Sequence, residues 1–511
     1  MPSTIWEVLA AGAPEARAIG APGRPWLTYD GLRVLASETI RALNGIGIGR
    51  GDRVAIVLPN GPEMATGFVS IACAATAAPL NPSYRAEEFE FYLTDLSPKA
   101  LVVKAGDDTP ARAVAERLGV AVVELVPDEA APAGTYRLAV EGRPGANPRA
   151  GGPAQGDDVA LVLHTSGTTA RPKIVPLSNA NLAASARHIG ATLGLGSGDT
   201  CLNIMPLFHI HGLIAAVLSS LGAGAAVSCT PGFNALKFFS WLDDVDPTWY
   251  TAVPTMHQAI LGRAGHNAER LAKGTRLRFI RSSSASLPPQ VMAELEKTFG
   301  CPVVEAYGMT EASHQMASNP LPPRARKPGS VGIAAGPEIA IMDEEGHLLP
   351  QGEIGEVVIR GPNVTGGYES NPDANLKAFA GGWFRTGDQG RLDEEGYLFL
   401  TGRLKELINR GGEKISPLEV DTVIMDHPAV AQVVTFAMPH AKLGEEVAAV
   451  AVLRDGMQAT EAEIRAFVAA RLADFKVPRR VLFVSEIPKG ATGKLQRVGL
   501  AQKLGLVDQA A

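Results

Sequence analysis

Between Leu163 and Ser178 the sequence reads LHTSGTTARPKIVPLS, so that Thr165, Ser166, Gly167, Thr168 and Thr169 are closely followed by Arg171 and Lys173. Hydroxyls, backbone N–H groups and two cations packed this densely suit polyphosphate oxygens: small residues let the backbone approach, and the cations offset the charge. The segment is not a Walker A loop, which needs Gly directly before its Lys; here Lys173 follows Pro172. Two carboxylates recur in compact motifs further on. Glu311 closes Tyr307-Gly308-Met309-Thr310-Glu311 after the strand-like CPVVEA, and Asp388 closes Trp383-Phe384-Arg385-Thr386-Gly387-Asp388. Gly402-Arg403-Leu404-Lys405-Glu406-Leu407-Ile408, Arg410-Gly411-Gly412-Glu413-Lys414 and Pro488 to Arg497 (PKGATGKLQR, with Lys494) complete the set.

A second group of side chains suits a small anion. His209 and His211 in PLFHIHG, Arg281 with Ser282, Ser283 and Ser284 in RSSSAS, and His314 in MTEASHQM offer donors rather than the apolar tunnel a long fatty chain needs. An extra carboxylate in a closed pocket costs several kcal/mol, to order of magnitude, unless it is paired and hydrogen-bonded. Clustered His, Arg and Ser meet that demand. His-x-His also ligates metals, but no further His or Asp ligand follows closely.

The elements that must position these groups alternate. RVAIVLP, ALVVKA, VAVVELV, VALVLHT and LRFIRSS read as buried strands between Ala/Leu-rich amphipathic helices, the pattern of an α/β protein with largely parallel sheets. From about Val331 hairpin-like pieces take over (EIAIMDEEGHLLP, GEIGEVVIRGP, GWFRTGDQGRLDEEGYLFLTGR), predicting a small antiparallel section. From Lys405 a last block has its own helices (PLEVDTVIMDH, EAEIRAFVAARL) and strands (VVTFAM, VAAVAVL, RVLFV), enough for a small α+β domain. The expected fold is thus a large N-terminal domain, residues 1–404, of two α/β subdomains plus the antiparallel section, followed by a small mobile domain, residues 405–511. Val140 to Gln155, rich in Gly and Pro, reads as a loop between subdomains. Gly212 to Pro231 is uncharged and about as long as a membrane span, yet Gly222 and Gly224 divide it. It is expected to form a buried helix, turn and strand.

Composition narrows the partners. With 511 residues the chain exceeds a single core, and 47 Lys+Arg against 53 Asp+Glu leave no basic patch for nucleic acid or an anionic membrane. Small molecules are the expected partners. Cys73, Cys201, Cys229 and Cys301 lie too far apart for a zinc spacing or a secreted disulfide framework, so reduced structural thiols are expected. The opening MPSTIWEVLAAGAPEARAIG lacks a basic n-region and GLVDQAA carries no peroxisomal or prenylation signal, which points to the cytoplasm.

Taken in order, from RPWLTYDGL to Lys494, these motifs resemble the adenylate-forming superfamily of acyl-CoA synthetases, luciferases and peptide-synthetase adenylation domains. The resemblance implies an ATP-dependent ligase that makes an acyl-AMP and then an acyl-CoA, as a monomer or homodimer, with Mg2+ required. It implies that Thr165, Ser166, Gly167, Thr168, Thr169 and Lys173 hold the β- and γ-phosphates and that Glu311, with Thr165, binds Mg2+, a hard ion suited to carboxylate oxygen. Thr310 would contact the α-phosphate. Tyr307 would face adenine beside Ser284, Ala285 and Ser286, with Glu305 and Ala306 counted to the nucleotide site, and Asp388 and Arg403 would reach the ribose.

Lys494 would be catalytic, an ammonium offsetting charge as a carboxylate attacks the α-phosphorus. For the second step the small domain would turn about Lys405 and bring Gly411, Gly412 and Glu413 to line the CoA tunnel. HIHGLIAAVLSSLGAGAAV, RFIRSSSASLPP and MTEASHQMASNPLP look like the oxalyl-CoA synthetase branch, which implies His209, His211, Ser284 and His314 as the acid's contacts and oxalate as the acid. Another short mono- or dicarboxylate such as malonate, or a nucleotide-binding regulator without turnover, are the competing readings. The loop departs from the usual pattern at Ile174 and Ala170, where Gly is common; losing Gly stiffens it.

Overall fold

The computed structural model describes residues 2–140, 147–165, 172–490 and 494–506. Its N-terminal part is a mixed α/β body built on two sheets. The first has seven strands, ordered Tyr136–Val140, Ala121–Pro127, Ala100–Lys104, Arg53–Val57, Thr76–Pro79, Val159–His164 and Ile174–Ser178. The inner pairs are parallel and the two edge pairs antiparallel. The second has nine strands, with Phe279–Ser283 between Trp249–Ala252 and Val303–Met309 near its middle.

Side-chain alternation along each strand explains the layering. Val54 and Ile56 enter a core shared with Cys201, Trp249 and Phe279 of the other sheet, while Ala55 and Val57 enter a second core and Leu202, Tyr250 and Ile280 a third. Helices Pro62–Ala72, Asn179–Thr192 and His211–Leu218 fill the shared layer between the sheets. Helices Ala86–Leu96 and Pro110–Arg117 cover one outer face, and Pro254–Ala264 and Pro289–Phe299 the other.

The apolar stretch from Gly212 folds as expected, with strand Ala226–Cys229 after the turn, but His211–Leu218 winds as a π-helix. It continues into the short helix Ser219–Gly222. There the Ser219 and Ser220 hydroxyls each donate 2.7 Å back to a carbonyl four residues earlier, a local bond that competes with the regular helix ladder. Among the described residues no helix is long and apolar enough to cross a membrane. All four cysteines are buried and free.

One expectation is corrected. Val140 to Gln155 does not join two subdomains: strands Tyr136–Val140 and Val159–His164 on either side of it belong to the same seven-stranded sheet. A tract rich in Gly and Pro marks a connection, and composition does not tell a connection between subdomains from one within a single sheet.

Strands Glu338–Met342, Gly355–Arg360, Trp383–Leu392 and Leu398–Arg403 pair antiparallel as the hairpin pattern requires. Beyond them a five-stranded sheet led by the long hairpin Val430–His440 and Gly444–Leu453 packs on helices Pro417–Met425 and Glu461–Ala469 around its own core of Ile408, Val420, Val447 and Ile464. Thr460 and Glu463 cap the second helix reciprocally, and Ser416 caps the first. The Ser416 hydroxyl also meets the Thr401 carbonyl, and Gln258 Nε2 donates 3.0 Å to the Ala431 carbonyl, so this small domain rests directly on the large one.

Candidate active site

Open α/β sheets bind ligands beyond the carboxyl ends of their strands, and the chemistry-bearing residues gather there. Thr165 follows strand Val159–His164, Ser284 follows Phe279–Ser283, and Tyr307 lies near the end of Val303–Met309. Of the phosphate-loop residues, Ser166, Gly167, Thr168, Thr169, Ala170 and Arg171 lie outside the described residues, as do Thr492 and Gly493 beside Lys494. The loop's base is pinched shut: the Thr165 N–H donates 2.9 Å to the Lys173 carbonyl, and the Lys173 N–H donates 3.2 Å to Thr165 Oγ1.

Lys173 then meets Glu311 through an intermediary. Its Nζ lies 4.2 Å from the Tyr368 ring centre, and the Tyr368 hydroxyl donates 2.8 Å to Glu311 Oε1. Burial lowers the Lys173 pKa, helped by the ammonium of Lys405, while burial raises that of Glu311. A buried carboxylate so placed gains from a hard cation. Among the described residues no three His, Cys, Asp or Glu side chains stand ready to hold a metal alone. The donor set fits Mg2+ taking one carboxylate and completing its shell with phosphate oxygens and water.

Gly308 of the same motif is obligatory. A Cβ there would stand 1.7 Å from the His314 carbonyl oxygen, so only glycine lets the hairpin close. Tyr307 donates 2.5 Å to Asp388 Oδ2, and Arg403 Nε donates 2.8 Å to Asp388 Oδ1. An ionised carboxylate has about four acceptor positions, so Asp388 retains capacity for two ligand hydroxyls. Ala285 and Ser286 are exposed on the wall of a cleft of about 710 Å³ that Glu305, Lys414, Lys494 and Arg497 also line. Glu305 accepts 2.8 Å from the Leu287 N–H, and burial pushes its pKa up to about 8.

Behind the Ser284 turn lies a cluster of imidazoles. His211 is fully buried at the head of the π-helix, its Nδ1 3.0 Å from Ser284 Oγ and its Nε2 2.7 Å from Thr251 Oγ1. The His314 ring centre is 4.9 Å from that of His211, and His209 Nδ1 accepts 3.2 Å from the His211 N–H. Burial lowers all three pKa values, that of His209 to about 3, so the rings are neutral at pH 7.

Ser284, Ser313 and His314 have φ of 76°, 50° and 100°. Such positions cost a non-glycine residue about 1–3 kcal/mol each and persist where the surroundings over-determine them. Arg281 Nε and Nη1, His314 Nδ1 and the hydroxyls of Ser282 and Ser313 are buried without a hydrogen-bond partner. Such unmet groups are rare in folded proteins, and here they are neighbours.

Lys494 arrives from the small domain. Its carbonyl accepts 2.8 Å from the Gly490 N–H, and Arg497 ties the segment down through Asp421 at 2.5 Å, Glu406 at 3.4 Å and the Thr435 carbonyl at 2.8 Å. Burial first, then the like charge of Arg403, pushes the Lys494 pKa down to about 8, against the pull of Asp388 and Glu311. The same ammonium contributes to the lowered pKa values of His209, His211 and His314, so it lies within electrostatic reach of both the carboxylates and the imidazoles.

The structure does not bring Gly411, Gly412 and Glu413 to the cleft: they form an exposed turn, with φ of 60° and 103° at the glycines, between strands Ile408–Arg410 and Glu413–Ile415. Lys405 is likewise exposed. Sequence reasoning missed Tyr368, Thr251 and Gln315. A tyrosine after two glycines in GGYES was the one available cue to Tyr368; Thr251 and Gln315 sit inside ordinary strand runs and carry none.

Residues 6–369 match the family model described as AMP-binding enzyme, and residues 419–494 match the AMP-binding enzyme C-terminal domain. An oxalate–CoA ligase of Arabidopsis thaliana is 47% identical over 507 residues, 98% of each chain. An oxalate–CoA ligase of Saccharomyces cerevisiae is 42% identical over 476 residues, 89% of this chain and 87% of that one. Among solved structures, ATP-bound MatB from Rhodopseudomonas palustris superimposes with a TM-score of 0.86 at 30% identity, covering 99% of this chain and 98% of that one. Its apo form gives 0.77 at 30% identity, covering 98% and 99%.

Proposed function

Because the chain belongs to the AMP-binding enzyme family, as an AMP-forming acid–thiol ligase that uses ATP, Mg2+ and CoA, we propose that its acid is oxalate. The observation that carries this reading is the histidine cluster. One ammonium, Lys494, is close enough to three buried, neutral imidazoles to depress each of them, a polar setting that suits a small charged acid better than an acyl chain. The relatives named for oxalate support it.

In the first step a carboxylate oxygen attacks the α-phosphorus of ATP, the bond to the bridging oxygen breaks, pyrophosphate leaves, and the mixed anhydride oxalyl-AMP remains. Both reactants are anionic, and Lys494 offsets the charge that builds between them. Thr310 would contact the α-phosphate, Lys173 with Thr165, Ser166, Gly167, Thr168 and Thr169 would hold the outer phosphates, and Glu311, with Thr165, would hold Mg2+. Tyr307, Ser284, Ala285, Ser286, Glu305 and Ala306 enclose the base, while Asp388 and Arg403 take the ribose. His209, His211, Ser284 and His314 hold the acid.

In the second step the CoA thiol attacks the oxalyl carbonyl and AMP departs. The body of residues 405–511 turns about Lys405 against residues 1–404, withdraws Lys494 and carries Gly411, Gly412 and Glu413 to the thiol path. Their exposure and the separate core of the small domain leave them free to make that excursion. One chain supplies every group, so a monomer or homodimer suffices, and four buried free thiols suit a cytoplasmic setting.

Purified protein with ATP, Mg2+ and CoA should release AMP fastest with oxalate among oxalate, malonate, acetate and a medium-chain acid. AMP release with one of the other acids and none with oxalate overturns the substrate assignment.

A further inference from the structure

Arg281 is the largest charged side chain with no exposed surface, and it has no carboxylate partner among the described residues. An uncompensated buried charge is costly, and one that persists needs an account. Two of its nitrogens, Nε and Nη1, have no hydrogen-bond partner; the third, Nη2, donates 3.2 Å to Gln315 Oε1. Gln315 adjoins His314. On the other side Arg281 pairs in register with Thr251, whose hydroxyl holds His211 Nε2. The guanidinium is thus tied to the strand that begins with His314 and lies in register with the residue whose hydroxyl holds His211, while Nε and Nη1 are buried without a partner.

We propose that Arg281 is a positioning residue for a dicarboxylate: its buried guanidinium supplies the fixed positive charge that, acting through His211 and His314, holds the carboxylate that does not react. This rests on the reading that the acid is oxalate. Oxalate is a dianion near neutral pH, and with it the cluster counts two negative charges against two cations, Arg281 and Lys494. Burial is the first cause of the neutral rings, and the cation adds to it. After burial, Arg281 is a cause of the lowered pKa of both His211 and His314.

The other groups facing these rings are His209 and Lys494, with His211 and His314 facing each other, and Cys201 faces Arg281. The Cys201 thiol is held neutral by burial, and burial leaves Arg281 itself at about 9, still a cation at pH 7. The pocket's charge is thus supplied without a proton taken up by histidine.

The sign of the test follows. In the wild type the KM for oxalate should stay flat between about pH 5.5 and 7.5, because Arg281 remains charged throughout. In Arg281→Gln any replacement for that charge, Lys494 apart, has to come from an imidazole that takes up a proton together with the dianion, which burial opposes and lower pH favours. The KM of this variant should rise roughly 10- to 100-fold at pH 7.5, the Coulomb scale for a charge several ångströms away at intermediate dielectric, and should recover toward pH 5.5.

Arg281→Lys should restore a flat profile, with the KM for ATP unchanged in both variants. A KM in Arg281→Gln equal to wild type, or raised by one factor at every pH with no recovery in Arg281→Lys, overturns the proposal. If Arg281→Gln lacks a cooperative thermal transition, Arg281→Lys decides alone: a flat profile supports the proposal and a pH-dependent one overturns it. Wild-type protein inactive with oxalate overturns the substrate assignment itself, a result distinct from active wild type with a pH-flat Arg281→Gln.

Discussion

Lys494→Ala is expected to slow formation of the acyl-adenylate by about 10²–10³-fold, the scale for losing one aimed electrostatic donor in a water-poor site. The expectation rests on placement. Lys494 is carried in by the small domain, anchored through Arg497 to Asp421 and Glu406, and depressed to about 8 by its surroundings. An ammonium that the site destabilises when empty is stabilised as negative charge gathers on the attacking oxygen and the α-phosphoryl group. On the proposed rotation about Lys405 the second step proceeds with Lys494 withdrawn, so CoA attack on supplied acyl-AMP should be nearly unaffected. Single-turnover measurements of the two half-reactions check this, and equal losses in both refute the division of labour.

His314→Ala should cut kcat/KM for oxalate far more than for acetate, by about 10²-fold or more, because buried polar groups left without their partner reject an analogue strongly. His314 is held in a left-handed backbone conformation, 4.9 Å from His211, with Gly308 leaving room for its carbonyl. Such strain is retained where the side chain's direction matters. Parallel kinetics with the two acids decide the matter, and proportionate losses with both would take His314 out of the pocket.

Much of the architecture was legible because period and turn chemistry are local. RVAIVLP, ALVVKA, VALVLHT and LRFIRSS are strands, and the hairpins after Val331 and the two helices and three strands of the small domain are where the patterns predict. Lys173 and Glu311 meet across Tyr368, Tyr307 of the same motif meets Asp388, and the histidines cluster with Ser284.

What escaped was the meeting of distant segments. Tyr368 lies 57 residues from the Glu311 it hydrogen-bonds, and no spacing rule links them. The Gly-Pro tract from Val140 read as a loop between subdomains because a connection within one sheet uses the same residues. Arg281 was legible as a donor in RSSSAS, but not that two of its nitrogens would be buried without a partner. That depends on strand parity and on which core each face meets. The turn at Gly411 and Gly412 cannot reveal in one arrangement what it reaches in another.

The central claim is that the acid's own oxygen attacks the α-phosphorus of ATP. Turnover of oxalate labelled with 18O in both carboxylates, in unlabelled water with ATP, Mg2+ and CoA, tests it by mass spectrometry of the nucleotide product. One labelled oxygen in each AMP released is the predicted result. ADP as the product, or AMP without label, would contradict the account.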